Sequence, residues 1–328
     1  MLYLDHEAVR KAYSMEKAIP LMAEAMRRYS AGQVTQPLRT IVRPASQDSL
    51  LAVMPCHAAG DDAGYGLKAI MLKPDNPGKG LDAHIGVVLV FDPDTGKLAA
   101  LLDGGAVTAV RTAAVSAVAT RALANPGAGD LAILGSGIQA RGHLEAMSNV
   151  RELRRVRVWS RTPEHAERFC RWAAGTGIRV PAENMPTVAA ALEGADLVCT
   201  TLACADPVVA ADDLAPGAHV NAVGASVPAA RELTSAAVAR CALFVDSRES
   251  AVNESGDFRS PLAEGLISAD HIQAELGDVL LGRHPGRRQD GQITLYKSLG
   301  LAVQDIFSGF AILRSAEELG LGIRLDVA

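Results

Sequence analysis

A chain of 328 residues, 49% apolar and 21% charged, is long enough for two domains that each bury a core. Its net charge of −5, with both signs interspersed, excludes the basic footprint that nucleic acid or an anionic membrane surface requires. No uninterrupted apolar run approaches the ~18 residues of a membrane-spanning helix, and no charged-then-apolar leader opens the chain, so a cytoplasmic setting is expected.

Tyr3 to Gly32 has helical spacing. Asp5 is placed to cap a first short helix, Ser14 or Met15 to start a second, and Gly32 to end it after Met22, Met26 and Tyr29, with the methionines as core. From Val34 to Asp103 the period falls to two, in runs such as Arg39–Val42, Ser49–Met54, Gly64–Leu72, Ile85–Phe91 and Lys97–Leu102, with turn signals at 74–78 and 92–96. A mostly antiparallel sheet follows from that pattern. Thr108–Ala119 is an alanine-rich helix, closed by Asn125-Pro126-Gly127. From Leu131 to Asp246 strands at Val156–Trp159, Leu197–Thr201, His219–Val223 and Leu243–Val245 alternate with helices at Pro163–Ala174 and Thr187–Leu192. That rhythm predicts a parallel, doubly wound α/β sheet. Beyond it a helix is expected over Ala269–Leu281, a short strand over Ile293–Tyr296, and a long apolar helix over Gly300–Arg314 that crosses back to the first domain. The basic stretch Arg151–Arg157 contains Glu152 and alternating valines, and is expected to be a solvated strand edge.

The second domain is organised around Asp130-Leu131-Ala132-Ile133-Leu134-Gly135-Ser136-Gly137-Ile138-Gln139-Ala140, which reads as strand, tight turn and helix. Gly135 suits the turn, Gly137 lets the backbone approach a pyrophosphate, and Ala140 sits where close helix–strand packing takes a small residue. With Ser136, Ile138 and Gln139 these form a candidate dinucleotide cradle, the alternative being an ordinary strand-to-helix turn. The acid that would accept from a ribose 2′-hydroxyl about 20 residues on is absent. The second strand ends instead in Ser160-Arg161-Thr162, a cation and two hydroxyls that suit a 2′-phosphate. The expected cofactor is therefore NADP(H), with NAD(H) as the alternative. Thr112, Thr200, Val223, Gly224 and Ser226 are further candidates for contact with it.

Three cations lie in segments that otherwise look buried: Arg39 at a strand entry, Lys68 within Tyr65-Gly66-Leu67-Lys68-Ala69-Ile70, and Arg111 in the alanine-rich helix. Ion pairs within the fold would explain them. With no carboxylate near Lys68 or Arg111 in sequence, a substrate carboxylate is the other explanation, Arg supplying a bidentate fork. His84 is a candidate proton source or pocket wall. The five cysteines, Cys56, Cys170, Cys199, Cys204 and Cys241, form no CxxC pair and have no histidine placed for zinc, so reduced thiols and no metal are expected.

The segments Gln36-Pro37-Leu38-Arg39-Thr40, Ala109-Val110-Arg111-Thr112-Ala113-Ala114, Gly135–Ala140, Asn221-Ala222-Val223-Gly224-Ala225, Glu254-Ser255-Gly256-Asp257 and Lys297-Ser298-Leu299-Gly300 resemble, in order, motifs of the ornithine cyclodeaminase/mu-crystallin family. The resemblance covers nearly the whole chain. It implies a Rossmann domain over residues 121–300, joined to a mostly antiparallel α+β domain over 1–120 that binds substrate, mediates a homodimer and is completed by a C-terminal helix within 301–328. Arg39, Lys68 and Arg111 match the family's substrate-carboxylate residues, and Trp159-Ser160-Arg161-Thr162 looks like the NADP-binding stretch of the mu-crystallin branch. One position departs. Where true ornithine cyclodeaminases have a catalytic aspartate this chain has Ser226, which cannot act as a carboxylate base. The resemblance thus implies an NADPH-dependent reductase of a small cyclic ketimine carboxylate, Δ1-pyrroline-2-carboxylate or Δ1-piperideine-2-carboxylate. Ornithine cyclodeaminase and an alanine-type amino-acid dehydrogenase are alternatives, as is a non-catalytic NADPH and small-ligand binding protein.

Overall fold

Short polar side chains set where the first helices begin. In the computed structural model, which describes residues 1–60, 64–202 and 204–326, strand β1 (Leu2–Leu4) leads into α1 (His6–Ala12), whose N-cap Asp5 accepts the Ala8 amide at 2.9 Å. Ser14 caps α2 (Met15–Ser30) in the same way, and Gly32 follows it in the left-handed region, at φ +74°. Met22 and Met26 are fully buried. The chain then forms β2 (Val34–Thr35), β3 (Thr40–Val42), β4 (Leu50–Ala58), β5 (Tyr65–Leu72), β6 (His84–Phe91) and β7 (Leu98–Asp103) before entering α3 (Gly104–Leu123). Strands β4 to β7 pair antiparallel in succession, as the period-two runs require.

Two compact units divide the chain, Met1–Arg111 with Leu301–Ala328, and Thr112–Gly300. The second unit continues through β8 (Asp130–Leu134), α4 (Ile138–Ser148), β9 (Arg155–Trp159), α5 (Pro163–Ala174), β10 (Ala182–Asn184), α6 (Val188–Leu192), β11 (Leu197–Thr200), β12 (His219–Ala222), α7 (Ser235–Arg240), β13 (Ala242–Val245), α8 (Arg248–Glu254), α9 (Gly256–Ala263), β14 (Ile272–Glu275), α10 (Leu276–Leu280) and β15 (Thr294–Lys297). Its sheet runs β10-β9-β8-β11-β12-β15-β13-β14, with parallel pairing throughout. Strands β11 and β12 are buried along their whole length, as expected for strands covered on both faces. Strand order reverses between β8 and β11, and in open α/β sheets the crevice outside the carboxyl ends at such a reversal is where ligands bind.

Two sequence expectations fail here. Ala269–Leu281 is no single helix but a 3₁₀ turn, β14 and the short α10. Ile272 and Ala274 alternate inward, and pairing with β13 supplies the backbone bonds that a helix would otherwise have made. Nor is the basic stretch an edge: β9 lies between β8 and β10, and Arg157 is buried, donating to the carbonyls of Ala190 and Glu193.

Helix α11 (Ala302–Leu319) and β16 (Ile323–Arg324) rejoin the first unit. The first sheet runs β16-β1-β7-β6-β5-β4-β2, with β3 also paired to β4. Side chains at Gly66 and Gly309 would collide with Ile306 and Val90, so these glycines let α11 lie directly on that sheet. Gln36 Oε1 accepts the Val303 amide at 2.9 Å, closing the helix's first turn. Val42, Leu51, Met71 and Ile85 form one cross-strand row through β3, β4, β5 and β6, each 39–56% exposed. Of the span expected for the C-terminal helix, 327–328 lie outside the described residues. Among the described residues no helix is long and apolar enough to cross a membrane, and all five cysteines are free.

Candidate active site

The first unit brings its three singled-out cations together. Register places them: Thr40 pairs with Val53, and the next residue of β4, Met54, pairs with Lys68 on β5, so Arg39 enters the sheet close to Lys68. Lys68 is only 2% exposed. Its Nζ donates to Thr108 Oγ1 at 2.6 Å and to Asp305 Oδ1 at 2.9 Å. Arg111 donates through Nε to the same Asp305 oxygen at 3.1 Å, and through Nη1 to Gln304 Oε1 at 2.9 Å. Asp305, in α11, is therefore the carboxylate that the sequence did not supply, 237 and 194 residues from the two cations it serves. Of the two explanations the sequence left open, an ion pair within the fold is therefore present for Lys68 and Arg111.

Asp305 is thus shared by two buried cations, and the Arg39 charge is close enough to act on Lys68. Burial drives the Lys68 amine down to a pKa of about 8, with Asp305 opposing the shift and the charges of Arg111 and Arg39 adding to it. Burial alone would raise the Asp305 carboxyl, but Arg111 and Lys68 outweigh it and hold the group below its ordinary value. Nη2 of Arg111 has no partner among the described residues, while Nε and Nη1 are both engaged. His84 stands at the start of β6, exposed. The protein behind it and then the Lys68 charge lower its pKa, against an opposing Asp82.

In the second unit the cradle has the geometry its sequence requires. Gly135 has φ +117°, and a side chain there would strike Thr201 beyond the end of β11. Gly137 is the N-cap of α4 with open space where a side chain would stand, and Ala140 is fully buried one turn on. α4 begins at Ile138 with no side-chain cap on its first turn, and a helix start of this kind is suited to an anion. Ser136 and Ser160 meet at 3.1 Å, which joins the cradle loop to the end of β9. Arg161 is exposed with no hydrogen-bond or ion-pair partner among the described residues. Thr162 holds the N-cap position of α5 without using its hydroxyl as a cap. The buried hydroxyls of Thr112 and Thr200 are likewise unpartnered. Open glycine backbone, a helix start and unpartnered hydroxyls fit a nicotinamide dinucleotide.

A second buried charge cluster escaped the sequence reading. Lys297 Nζ lies 2.8 Å from Asp257 Oδ2 and 3.7 Å from Glu232 Oε2, all three side chains nearly inaccessible. Glu232 accepts the amides of Leu202 and Gly224 at 2.8 Å and of Ala225 at 3.3 Å, while Asp257 accepts those of Glu232 and Leu233. Asp246 accepts from the amides of Leu299 and Gly300, each at 2.7 Å. The motifs at Asn221–Ala225, Glu254–Asp257 and Lys297–Gly300 thus converge through their polar side chains. Val223, Gly224 and Ser226 lie on the loop that this cluster secures, each partly open to solvent. Among the described residues no group of His, Cys, Asp or Glu side chains is arranged to hold a metal ion.

Residues 2–318 match the model of the ornithine cyclodeaminase/mu-crystallin family. Ketimine reductase mu-crystallin of Mus musculus is 40% identical over 291 residues, 88% of each chain. Delta(1)-pyrroline-2-carboxylate reductase of Bacillus cereus is 37% identical over 327 residues, 99% of this chain and 100% of that one. The solved structure of Thermococcus litoralis Delta(1)-pyrroline-2-carboxylate reductase, in complex with NADH and L-proline, superposes with a TM-score of 0.96 at 34% identity, covering 99% of this chain and 100% of that one.

Proposed function

The chain belongs to the ornithine cyclodeaminase/mu-crystallin family, and from that premise we propose that it is an NADPH-dependent reductase of a small cyclic ketimine carboxylate, Δ1-pyrroline-2-carboxylate or Δ1-piperideine-2-carboxylate. It acts as an oxidoreductase on a C=N bond, as the related reductases from mouse, Bacillus and Thermococcus do by their names. The observation that carries the reading is the pair of buried cations, Lys68 and Arg111, on the one carboxylate of Asp305, with the charge of Arg39 close enough to act on Lys68. Two cations on one carboxylate, with Arg111 Nη2 bonded to no described residue, suit a small carboxylate substrate.

In this reading Arg111 Nη2 and Arg39 bind the substrate carboxylate and fix the ring. Lys68, with a pKa near 8, is charged at neutral pH and still able to release a proton, so it protonates the imine nitrogen or holds the second carboxylate oxygen. Neither arginine can do that, since a guanidinium keeps its proton below a pH of about 12. His84 is the alternative donor, its lowered pKa making it neutral and a weaker acid source at that pH. Bound at the cradle, a nicotinamide would supply the hydride that reduces the imine carbon. Gly135, Ser136, Gly137, Ile138 and Gln139 would hold its pyrophosphate, and Val223, Gly224 and Ser226 would hold the nicotinamide end. Ser160, Arg161 and Thr162 favour the 2′-phosphate and hence NADPH over NADH. The exposed row Val42, Leu51, Met71 and Ile85 supports a homodimer formed through the first sheet.

Purified protein incubated with each cyclic imine and NADPH tests the proposal, with ornithine and NAD alongside. NADPH consumption on an imine and no ammonia from ornithine supports it. Abundant ammonia from ornithine, with no NADPH oxidation on either imine, refutes it and shows that Ser226 is no obstacle to cyclodeamination.

A further inference from the structure

Three strand ends of the second sheet are tied together by one side chain. Glu232 is fully buried, and its two carboxyl oxygens take three backbone amides: Leu202, just beyond β11, on Oε1, and Gly224 and Ala225, just beyond β12, on Oε2. Lys297, the last residue of β15, stands 3.7 Å from Oε2. No side chain could stand at Gly224, because it would collide with the Leu202 backbone and with Glu232 Oε1 itself. Loop and carboxylate are thus fitted to each other.

Here we propose that Glu232 is a positioning residue for the cofactor: its ionised carboxylate holds the ends of β11 and β12 in the shape that receives the nicotinamide, and its protonation releases them. The inference rests on the cofactor reading above and adds a pH dependence to it. An ionised carboxylate accepts at both oxygens, whereas a carboxylic acid turns one of them into a hydroxyl, a donor facing amide donors. Protonation therefore removes an acceptor from Leu202 or from Gly224 and Ala225, which is a loosening at one loop or the other.

Charge balance makes that proton exchange accessible. Facing Glu232 are Lys297 from β15 and Asp257 from α9, with Asp246 acting on Lys297 from the end of β13 and the Cys204 thiol beyond β11. A single lysine cannot neutralise three acids, and Asp257, at 2.8 Å, has first claim on it. Burial above all, then Asp257, raise the Glu232 carboxyl to a pKa of about 7, with Lys297 and the amides of Leu202 and Gly224 opposing. The ionised, ordered form is thus fully present above that value and lost as pH falls through it.

Calorimetric titration with NADP⁺ and with NAD⁺ between about pH 6 and pH 8.5 tests the proposal without reference to turnover. NAD⁺ is included because it lacks the 2′-phosphate, whose own titration near pH 6 would otherwise contribute. In the unaltered protein both association constants rise about tenfold through a midpoint near 7, the change expected when one charge-assisted hydrogen bond is regained. Glu232→Gln removes the midpoint and leaves affinity at the low-pH value, with a thermal melt to establish that the variant is folded. Lys297→Met moves the midpoint upward and Asp257→Asn moves it downward, shifts that a merely structural role would not produce. Flat binding across this range in the unaltered protein, or an unchanged midpoint in Glu232→Gln, overturns the inference while leaving the cofactor reading standing. Failure of both dinucleotides to bind at any pH overturns that reading and this inference with it.

Discussion

Replacing Asp305 by Asn removes the carboxylate that Lys68 and Arg111 share, and the consequence can be worked from their distances. The two cations lie 2.9 and 3.1 Å from one oxygen. At an effective dielectric constant of about 20, each contact has a gross attraction of roughly 5–6 kcal/mol, offset by the desolvation of all three groups and by repulsion between the cations. Breaking a buried pair by removing one partner costs about 3–5 kcal/mol in net terms, and since the Asn amide oxygen still accepts one bond, about 3 kcal/mol is expected. In a chain of 328 residues that corresponds to a fall in Tm of about 4 °C. The pH behaviour shifts as well. Folded Lys68 has a pKa near 8 against an ordinary value of 10.5, so the folded state binds fewer protons between those limits and stability rises with pH across them. Asp305 opposes that depression, so its loss drives the amine lower and the window opens at lower pH. The high-pH limb of kcat, where Lys68 loses its proton, moves down with it. Thermal melts and pH–rate profiles of both proteins measure the two effects. A Tm within about 1 °C of the parent and an unmoved limb would refute the assignment of Asp305 as the counter-charge.

Arg161→Ala should raise the KM for NADPH about ten- to a hundredfold while sparing NADH, since one charge-assisted contact to phosphate is worth about 1.5–3 kcal/mol; equal use of both cofactors by the parent would count against it. Arg111→Ala should abolish turnover and leave dinucleotide binding nearly intact in a fluorescence titration, because Arg111 bonds to Asp305 and Gln304 and not to any cradle residue. Normal turnover in a folded variant would confine Arg111 to a structural role. Leu51→Asp, in the exposed row of the first sheet, should convert a dimer to monomers in sedimentation velocity, and a dimer that survives it would place the interface elsewhere.

Much of this was legible in local sequence. Period-two runs located the central strands of the first sheet, though Ser49–Met54 falls short of β4 and the short strands β1, β2 and β16 were missed, and Pro163–Ala174 appears as the helix its spacing predicts, because those signals depend on which face is buried. The cradle was legible for a different reason: Gly135 and Gly137 answer to backbone conformation and close approach, which only glycine satisfies. Ala269–Leu281 misled because its strand exists through pairing with β13, a partner that local periodicity does not reveal. Arg157 misled in the same way, since β10 covers a strand that its own charges make look exposed. Asp305 carried a weak signal, an acid beside Gln304 in the first turn of a helix that runs on into an apolar stretch, but its partners lie far away in sequence. Glu232, Asp257 and Lys297 are the clearest loss: two of them sit in motifs that were noticed, and only the fold shows that those motifs meet.

The central claim is reduction at an imine carbon beside a carboxylate held by Arg39, Lys68 and Arg111. It is tested most directly by running the reaction with NADPH deuterated at the transferable position of the nicotinamide and analysing the cyclic amino acid by mass spectrometry and NMR. The account predicts one deuterium per molecule, located at C2 of proline or pipecolate, with one NADPH consumed for each product formed. Product without label, or label retained in the dinucleotide while ammonia accumulates from a linear amino acid, would contradict it.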